Sequence, residues 1–153
     1  MYKIIVSSFM ATLLFSGCAS IKYGDKEAET EMKKFVPIPG KTSLYVCREN
    51  AVFVAVGVRT TVLVDNEEIG TVKPNTFVHT ALEPGKHAVH MKNDGIAAIY
   101  SPVITLETKA DETAFLWIGV TGGGLGTYTV DFFENKQSGM DCVTGAAYSV
   151  RSN

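Results

Sequence analysis

Ser43-Leu44-Tyr45-Val46-Cys47-Arg48 is the stretch of sequence that decides the fold of this chain of 153 residues. In an extended backbone its side chains alternate, so Leu44 and Val46 share one face. Tyr45 and Cys47 share the other face. Because a short run rich in aromatic and β-branched residues is typical of a strand, we expect the first β-strand over residues 43–48.

Short apolar runs separated by turn sequences continue from this strand towards the C-terminus. Asp65-Asn66-Glu67-Glu68 and Pro84-Gly85 favour turns, since Asp, Asn, Pro and Gly suit the backbone angles of tight turns. The segment 134–153 is ambiguous, with a last strand near residues 146–150, and no long amphipathic helix is predicted after residue 40. The other predicted strands cover residues 51–58 (a strand or an inserted hairpin), 60–64, 69–72, 77–82, 86–91, 103–106, 113–120 and 128–133.

This pattern predicts an all-β protein, a single small antiparallel β-sandwich of the immunoglobulin-like or transthyretin-like kind. Its strand 113–120 places Phe115 and Trp117 on one face, and the alternate positions on the other face are apolar as well. A strand that is apolar on both faces is typical of a central, buried position. We therefore expect Trp117 to be a core residue rather than a platform for a ligand.

The N-terminus carries an apolar run after Lys3 that ends in Leu13-Leu14-Phe15-Ser16-Gly17-Cys18. Spanning a bilayer takes about 20 apolar residues, and this run is too short for that. A basic start, a short apolar core and small residues at its end are typical of an export signal. Residues 1–17 are therefore predicted to be a signal peptide.

The end of this segment resembles the lipobox of bacterial lipoproteins, in which the cysteine is acylated and becomes the first residue of the mature chain. The resemblance implies lipidation of Cys18 and a membrane lipid as the partner of this residue. Ala19 follows where an Asp would resemble an inner-membrane retention signal, which favours the outer membrane, facing the periplasm. The alternative is an ordinary signal peptide cleaved after Ala19 or Ser20.

Removing 17 of the 153 residues leaves 136, enough for one domain with a core of its own. Residues 18–40 are predicted to be the lipidated N-terminus and a polar tether that lifts the domain off the lipid surface, because one short polar helix is marginal in isolation. Pro37-Ile38-Pro39-Gly40 ends any helix. The β-sandwich domain is expected over residues 41–153.

Charge and cysteine content narrow the function class. The chain has 14 basic and 16 acidic side chains, and since nucleic-acid binding requires a basic surface, no nucleic-acid partner is expected.

With Cys18 assigned to lipid, Cys47 and Cys142 are a pair in an oxidising compartment, and we predict a disulfide between them. Two buried free thiols, or a reactive Cys47, are the alternatives.

Two histidines are the only candidates for metal ligands, and they are weak ones. If Pro84-Gly85 is a two-residue hairpin loop, His79 lies opposite His90 on the outer face of the sheet. Two imidazoles at that distance can share a Zn or Cu ion, but a structural site usually needs four ligands and no third is evident. No metal and no cofactor are therefore expected. His87 is expected at the turn, with its ring partly buried.

The glycine run Gly122-Gly123-Gly124-Leu125-Gly126 invites a phosphate-binding interpretation. A phosphate loop needs a following helix with Lys and Ser or Thr, whereas Thr127 begins a strand, so we expect a hairpin connection that could contact a partner. The motifs Gly-x-Ser-x-Gly and His-Glu-x-x-His do not occur. We expect a protein that is not an enzyme.

Three motifs follow one another in the chain: Gly40-Lys41-Thr42-Ser43-Leu44-Tyr45-Val46-Cys47-Arg48, then Val64-Asp65 with Ile69-Gly70, then Glu83-Pro84-Gly85-Lys86-His87. Their order resembles a family of bacterial lipoproteins, the domain of unknown function 2846 family, which has a G-K-x-x-L-Y-V-x-R strand, a V-D-x-x-x-x-G hairpin and a P-G-x-H turn. The likeness covers roughly residues 40–120 and departs at Cys47. It implies an envelope lipoprotein and no known reaction.

Together these features predict a lipid-anchored lipoprotein of the bacterial cell envelope. We expect it to act as a non-enzymatic interaction or accessory module, with another envelope protein as its partner at the exposed turns. The alternative is a periplasmic lipoprotein that binds a small ligand or a metal, with His79 and His90 as the candidate ligands.

Overall fold

The computed structural model describes residues 22–49, 57–93, 100–121 and 127–151. The predicted signal peptide, Cys18, the glycine run 122–126 and most of the predicted strand 51–58 lie outside these residues. The elements, in chain order, are β1 (Lys22–Tyr23), α1 (Lys26–Met32), β2 (Thr42–Arg48), β3 (Thr60–Val64), β4 (Glu67–Val72), β5 (Thr76–Leu82), β6 (Gly85–Asn93), β7 (Ile104–Thr108), β8 (Glu112–Thr121), β9 (Thr127–Phe132), α2 (Lys136–Gly145) and β10 (Ala147–Val150).

The strands form two sheets that pack face to face, which confirms the predicted all-β sandwich. One sheet has six strands in the order β1-β10-β5-β2-β8-β9, and the other has four in the order β4-β3-β6-β7. The β2–β8 and β10–β5 ladders are parallel, while the other ladders between the described strands are antiparallel. The sandwich is therefore mainly antiparallel, with two parallel pairs in the larger sheet.

The main core lies between the two sheets and follows the alternation of the strands. Leu44 and Val46 of β2 project into it and are fully buried. Val78 of β5 and Val89 of β6 do the same, whereas Thr80, on the same face of β5 as Val78, is only half-buried. The other members of this core include Val62, Val64, Val72, Met91, Leu106, Leu116, Ile118 and Val130.

A second core covers the opposite face of the six-stranded sheet. Tyr45 and Cys47 project to this side of β2, and both helices pack over them. As a result, β2 is buried at all seven of its positions. The second core also contains Phe77, Phe115, Val143 and Ala146, with Met32, Phe35, Phe133 and Met140 at its margin.

Helix α2 is an element that the ambiguous sequence pattern of the C-terminal segment did not predict. It starts at the N-cap Asn135, whose side chain accepts a hydrogen bond from the Ser138 amide at 2.9 Å. Gly139 faces the sheet, and a Cβ atom there would lie 2.4 Å from Cβ of Phe115. The missing side chain thus allows α2 to pack closely on β8.

A disulfide joins this helix to the sheet. Cys142 in α2 is bonded to Cys47 in β2, with 6.3 Å between the two Cα atoms, as the sequence predicts. The bond connects residues that are 95 positions apart in the chain. It therefore fixes the C-terminal helix on the central strand of the larger sheet.

The predicted polar tether is wrong for residues 22–35, because this segment packs on the domain. Strand β1 pairs with β10 at the sheet edge, where Lys22 lies opposite Val150. Helix α1 has its N-cap at Asp25, and its C-cap residue Lys33 forms an i,i+4 ion pair with Glu29 at 2.8 Å.

Helix α1 is held by contacts that a short isolated helix would lack. Glu29 accepts a hydrogen bond from the Tyr148 amide at 3.0 Å, and Lys33 donates one to the Ala146 carbonyl at 2.6 Å. The hydrogen bond from Lys33, together with that from Tyr148, lowers the pKa of the Glu29 carboxyl. These long-range partners explain why a segment that is marginal by itself becomes ordered.

Two aromatic side chains complete the attachment of the N-terminal segment. The Tyr45 hydroxyl donates a hydrogen bond to the Met32 carbonyl at 2.8 Å, and burial raises the pKa of Tyr45 to about 12, so this donor stays protonated. The Phe35 ring packs edge-on against Tyr45 and Phe115, with ring centroids 5.5 and 5.7 Å apart.

Within the described residues, no helix is both long and apolar enough to cross a bilayer.

We predict that replacing the disulfide with Cys47→Ala and Cys142→Ser lowers the free energy of unfolding by roughly 2–5 kcal/mol, because the open chain gains freedom when it unfolds. Chemical denaturation of the oxidised protein and of the variant measures the difference. In a parallel assay, alkylation of the unreduced, denatured protein should label neither cysteine. An unchanged stability, or labelling of both thiols, would contradict the assignment.

Candidate functional site

The predicted His79–His90 pair is wrong, because the turn between β5 and β6 connects the two sheets instead of forming a hairpin. Strand β5 pairs with β2 and β10, whereas β6 pairs with β3 and β7. His79 consequently lies opposite Tyr45, and His90 lies opposite Leu63 in the other sheet. The alternation of each strand was predicted correctly, but the choice of partner strand was not.

Each of these histidines has an environment of its own. The His79 ring packs on the Tyr45 ring at a centroid distance of 4.6 Å, and burial lowers its pKa, which favours the neutral form. His90 is buried beside Tyr100 on the four-stranded sheet. Within the described part of the chain, no group of three or more His, Cys, Asp or Glu side chains could hold a metal ion.

His87 joins two turns at one end of the sandwich. Its Nδ1 lies 2.6 Å from a carboxylate oxygen of Asp65, and its Nε2 lies 2.8 Å from the Glu83 carbonyl oxygen. Both partners are acceptors, so the two contacts are satisfied together only when both ring nitrogens carry a proton. The hydrogen bond to Asp65, then that to Glu83, raises the pKa of His87. The predicted partly buried ring is therefore confirmed, and its role is to bridge two turns.

The most site-like feature of the described residues is a pocket of about 360 Å³ on the helix-covered side of the six-stranded sheet. Trp117 of β8 lies beside Cys47 of β2 and Asp131 of β9 in the ladder, and Glu49 follows on the same side of the chain. Near its N-terminus, α2 contributes Ser138. We call this feature the Trp117 pocket; its lining is Glu49, Trp117, Asp131, Phe132, Phe133, Glu134 and Ser138.

Trp117 is partly exposed, although the sequence pattern predicts a core residue. A Cβ atom at Gly119 would lie 2.1 Å from the benzene half of the indole, so this ring covers the bare backbone two positions along β8. Helix α2 and Phe35, which follows α1, pack on Phe115 but leave the next outer position, Trp117, only partly covered. The indole is therefore a flat aromatic surface at the end of the second core.

The rim of the Trp117 pocket is acidic. Glu49, Asp131 and Glu134 are exposed, and no basic side chain of the described residues forms an ion pair with them. In such an arrangement the carboxylates attract an organic cation by their charge, and the indole attracts it through the quadrupole of the ring. An ammonium or guanidinium group is the ligand chemistry that this arrangement fits.

The pocket lies on strand β9, the last strand of the larger sheet. One edge of β9 has no partner strand among those described, and Phe132 at its end is 51% exposed. An exposed aromatic side chain that lines a pocket on the last described strand of a sheet is typical of an interaction surface. The neighbouring glycine run 122–126, which the sequence analysis selected as a contact loop, lies outside the described residues.

Sequence reasoning missed this site because its residues come from three separate segments. The sequence could have indicated the site only through Trp117 and Asp131, which lie opposite each other on one face of the sheet. Finding that pair requires the register between β8 and β9. Nothing in the sequence indicated that Ser138 of α2 lines the pocket, since the helix itself was not predicted. A second pocket between β4 and β5, which includes Asp65, Glu67 and Thr80, has no aromatic side chain in its lining.

Comparison with known proteins adds no relative: no protein-family model, no curated protein and no solved structure matches this chain. The resemblance to the lipoproteins with a domain of unknown function therefore stays a prediction.

The His87 bridge predicts a pH-dependent stability. Since the pKa of His87 is raised from 6.5, its contribution is fully present below pH 6.5 and is lost as the pH rises through the raised value. The pKa of Asp65 is lowered from 3.8, mainly by the hydrogen bond from His87, so its contribution is present above pH 3.8 and is lost at lower pH. We predict that Asp65→Asn lowers the melting temperature most between pH 3.8 and pH 6.5, and less at pH 8.

Thermal melts of wild type and variant at several pH values measure this difference. Glu107→Gln is the matched control, because it removes an exposed ion pair, with Lys86, that involves no histidine. If the Asp65→Asn difference is the same at pH 5.5 and pH 8, the bridge has no charged form in the folded protein.

Proposed function

We propose that this protein is a lipid-anchored protein of the bacterial cell envelope that binds a partner through the Trp117 pocket and catalyses no reaction. The anchor is supported by the sequence alone, through the short apolar leader and the small residues before Cys18. The binding role is supported by one observation above all. Trp117 is left partly exposed in a pocket whose lining includes three carboxylates, on the strand next to β9, the last described strand of the larger sheet.

The form of this surface favours recognition of a basic group on a partner. A lysine or arginine side chain could place its cation over the indole and against the carboxylates, which satisfies both parts of the site. Phe132, an exposed member of the pocket lining, offers apolar area to the rest of that partner. A basic segment of another envelope protein is accordingly the proposed partner.

The size of the pocket favours a second candidate, a small free organic cation. A volume of about 360 Å³ lies within the range of small-molecule sites, roughly 300–1,000 Å³. In that case the protein would bind a soluble amine in the periplasm, with the same residues in the same roles. The two candidates differ in whether a protein can be crosslinked to the site.

A photoreactive amino acid in place of Phe132 tests the proposal in intact cells. We expect one recurring protein adduct, which disappears when Trp117→Ala or Asp131→Asn is added, because both changes remove recognition of the cation. The matched control is the same photoreactive residue in place of Val103, which is 61% exposed and lies next to the other sheet. The purified protein should begin at Cys18 and carry acyl chains by mass spectrometry.

The outcomes separate the parts of the proposal. An adduct that survives Trp117→Ala contradicts recognition through the pocket. No adduct, combined with saturable binding of arginine amide or a diamine to the purified protein, supports the small-cation candidate. An unmodified Cys18 contradicts the anchor.

A further inference from the structure

We propose that the β1 edge of the sandwich lies directly on the bilayer, with Lys22, Tyr23, Lys73 and Arg151 as the lipid-contacting residues. This inference rests on the proposed function, since it takes Cys18 as the acylated residue. It adds the orientation of the domain, and with it the side from which the Trp117 pocket is approached.

The first step is the reach of the chain between the anchor and the fold. Strand β1 begins at Lys22 and is fixed to β10, with Lys22 opposite Val150. The Gly24 amide adds a hydrogen bond to the Tyr148 carbonyl at 3.0 Å. From Cys18 to Lys22 there are four Cα–Cα steps, which span at most about 14 Å when fully extended.

A link of this length keeps the attachment point of the domain at the lipid surface. An acylated cysteine has its chains in the bilayer and its backbone at the headgroup level. The sheet edge at Lys22 therefore lies within about 14 Å of the headgroup level, whatever the conformation of the residues between. A spacer of more than twenty residues would have allowed any orientation, but most of that segment is folded onto the domain.

The second step is the chemistry of the surface at this attachment point. Lys22 is exposed, and Tyr23 next to it is 49% exposed. The Lys73 ammonium lies 4.8 Å from the centre of the Tyr23 ring. Arg151 comes directly after Val150, the residue that lies opposite Lys22. Within the described residues, no carboxylate forms an ion pair with any of these three cations.

Such a set of side chains suits a lipid headgroup region. Tyrosine is enriched at membrane–water interfaces, where its ring meets the acyl boundary and its hydroxyl meets water. Basic side chains near an anionic leaflet strengthen attachment, and acylated proteins commonly combine the two signals. Lys22, Lys73 and Arg151 with the Tyr23 ring thus supply the charge and the aromatic group that an anionic bilayer attracts, although the exposed carboxylates of Asp25 and Glu27 follow β1 and the whole chain is slightly acidic.

The third step is the position of the Trp117 pocket relative to this edge. Strands β1 and β9 are the two ends of the six-stranded sheet, five strand spacings apart. At about 4.8 Å for each spacing, the two edges are separated by roughly 24 Å. An acidic pocket would be repelled by an anionic surface, and the fold places it at the far edge. The pocket then faces the aqueous compartment.

Quenching of tryptophan fluorescence by brominated lipid tests this orientation. The acylated full-length mature protein is reconstituted in vesicles of phosphatidylethanolamine and phosphatidylglycerol with brominated acyl chains. Trp117 is the single tryptophan of the wild type, and we expect bromine to leave its emission unchanged. In a Trp117→Phe background, Tyr23→Trp should lose about half of its emission, since an interfacial ring lies within roughly 5–10 Å of the acyl boundary.

Tyr100→Trp in the same background is the matched control. Tyr100 is 56% exposed, close to Tyr23 in exposure, but it lies beside β6 in the four-stranded sheet. We expect no quenching there. Thermal melts confirm that each variant is folded, and both replacements exchange one exposed aromatic ring for another.

A charge experiment provides a second readout. With Lys22→Gln and Lys73→Gln, a non-acylated Cys18→Ser form of the mature chain should bind phosphatidylglycerol vesicles about fivefold more weakly for each charge removed. The control pair Lys86→Gln and Lys109→Gln should leave vesicle binding unchanged.

The result that would overturn the orientation is quenching of Trp117 or of Tyr100→Trp to the same extent as Tyr23→Trp, or no quenching of Tyr23→Trp. If the natural protein carries acyl chains on Cys18 and this pattern still fails, only the orientation is wrong. If Cys18 is unmodified, the proposed anchor is wrong and the orientation is rejected with it.

Discussion

The constraint on which the rest of the structure depends is that strand β2 is buried on both faces. Its Leu44 and Val46 project into the core between the sheets, and Tyr45 and Cys47 project outwards. When two sheets pack together, each sheet has one face covered by the other and one face outside. The outer face of the six-stranded sheet would therefore expose aromatic and aliphatic area to water. The six-stranded sheet therefore needs a third layer, which the two ends of the chain provide.

The ends of the chain form this layer together and hold each other in place. Helix α1 contacts the C-terminal strand through Glu29, its C-cap Lys33 hydrogen-bonds to the Ala146 carbonyl just before that strand, and the disulfide holds α2 on β2. The layer covers the sheet from β10 to Phe115 and thins at Trp117, which leaves the pocket open at the β9 edge. One packing requirement thus has two functional consequences. It leaves only a short link between Cys18 and the fold, and it leaves Trp117 partly exposed near the β9 side of the larger sheet.

Much of the fold could be predicted from local sequence, because alternation depends only on neighbouring residues. The strands at residues 43–48, 60–64 and 77–82 and the inward-facing valines follow from that pattern. The pairing of Cys47 with Cys142 followed from the count of cysteines and the inferred compartment. What failed was decided by tertiary contacts: the chain changes sheets at Pro84-Gly85, and the polar α1 segment is ordered by distant partners. The candidate site depends on the β8–β9 register and on α2, so little of it could be predicted.

Hydrogen exchange of the N-terminal segment tests most directly whether the chain ends close the outer face of the larger sheet. The amides of Gly24, Lys33 and Phe35 are hydrogen-bonded in the fold, and so is that of Tyr148 in β10. The account predicts that segment 22–35 exchanges slowly and opens together with β10. Exchange of this segment at the rate of an unstructured peptide, while β2 stays protected, would contradict it.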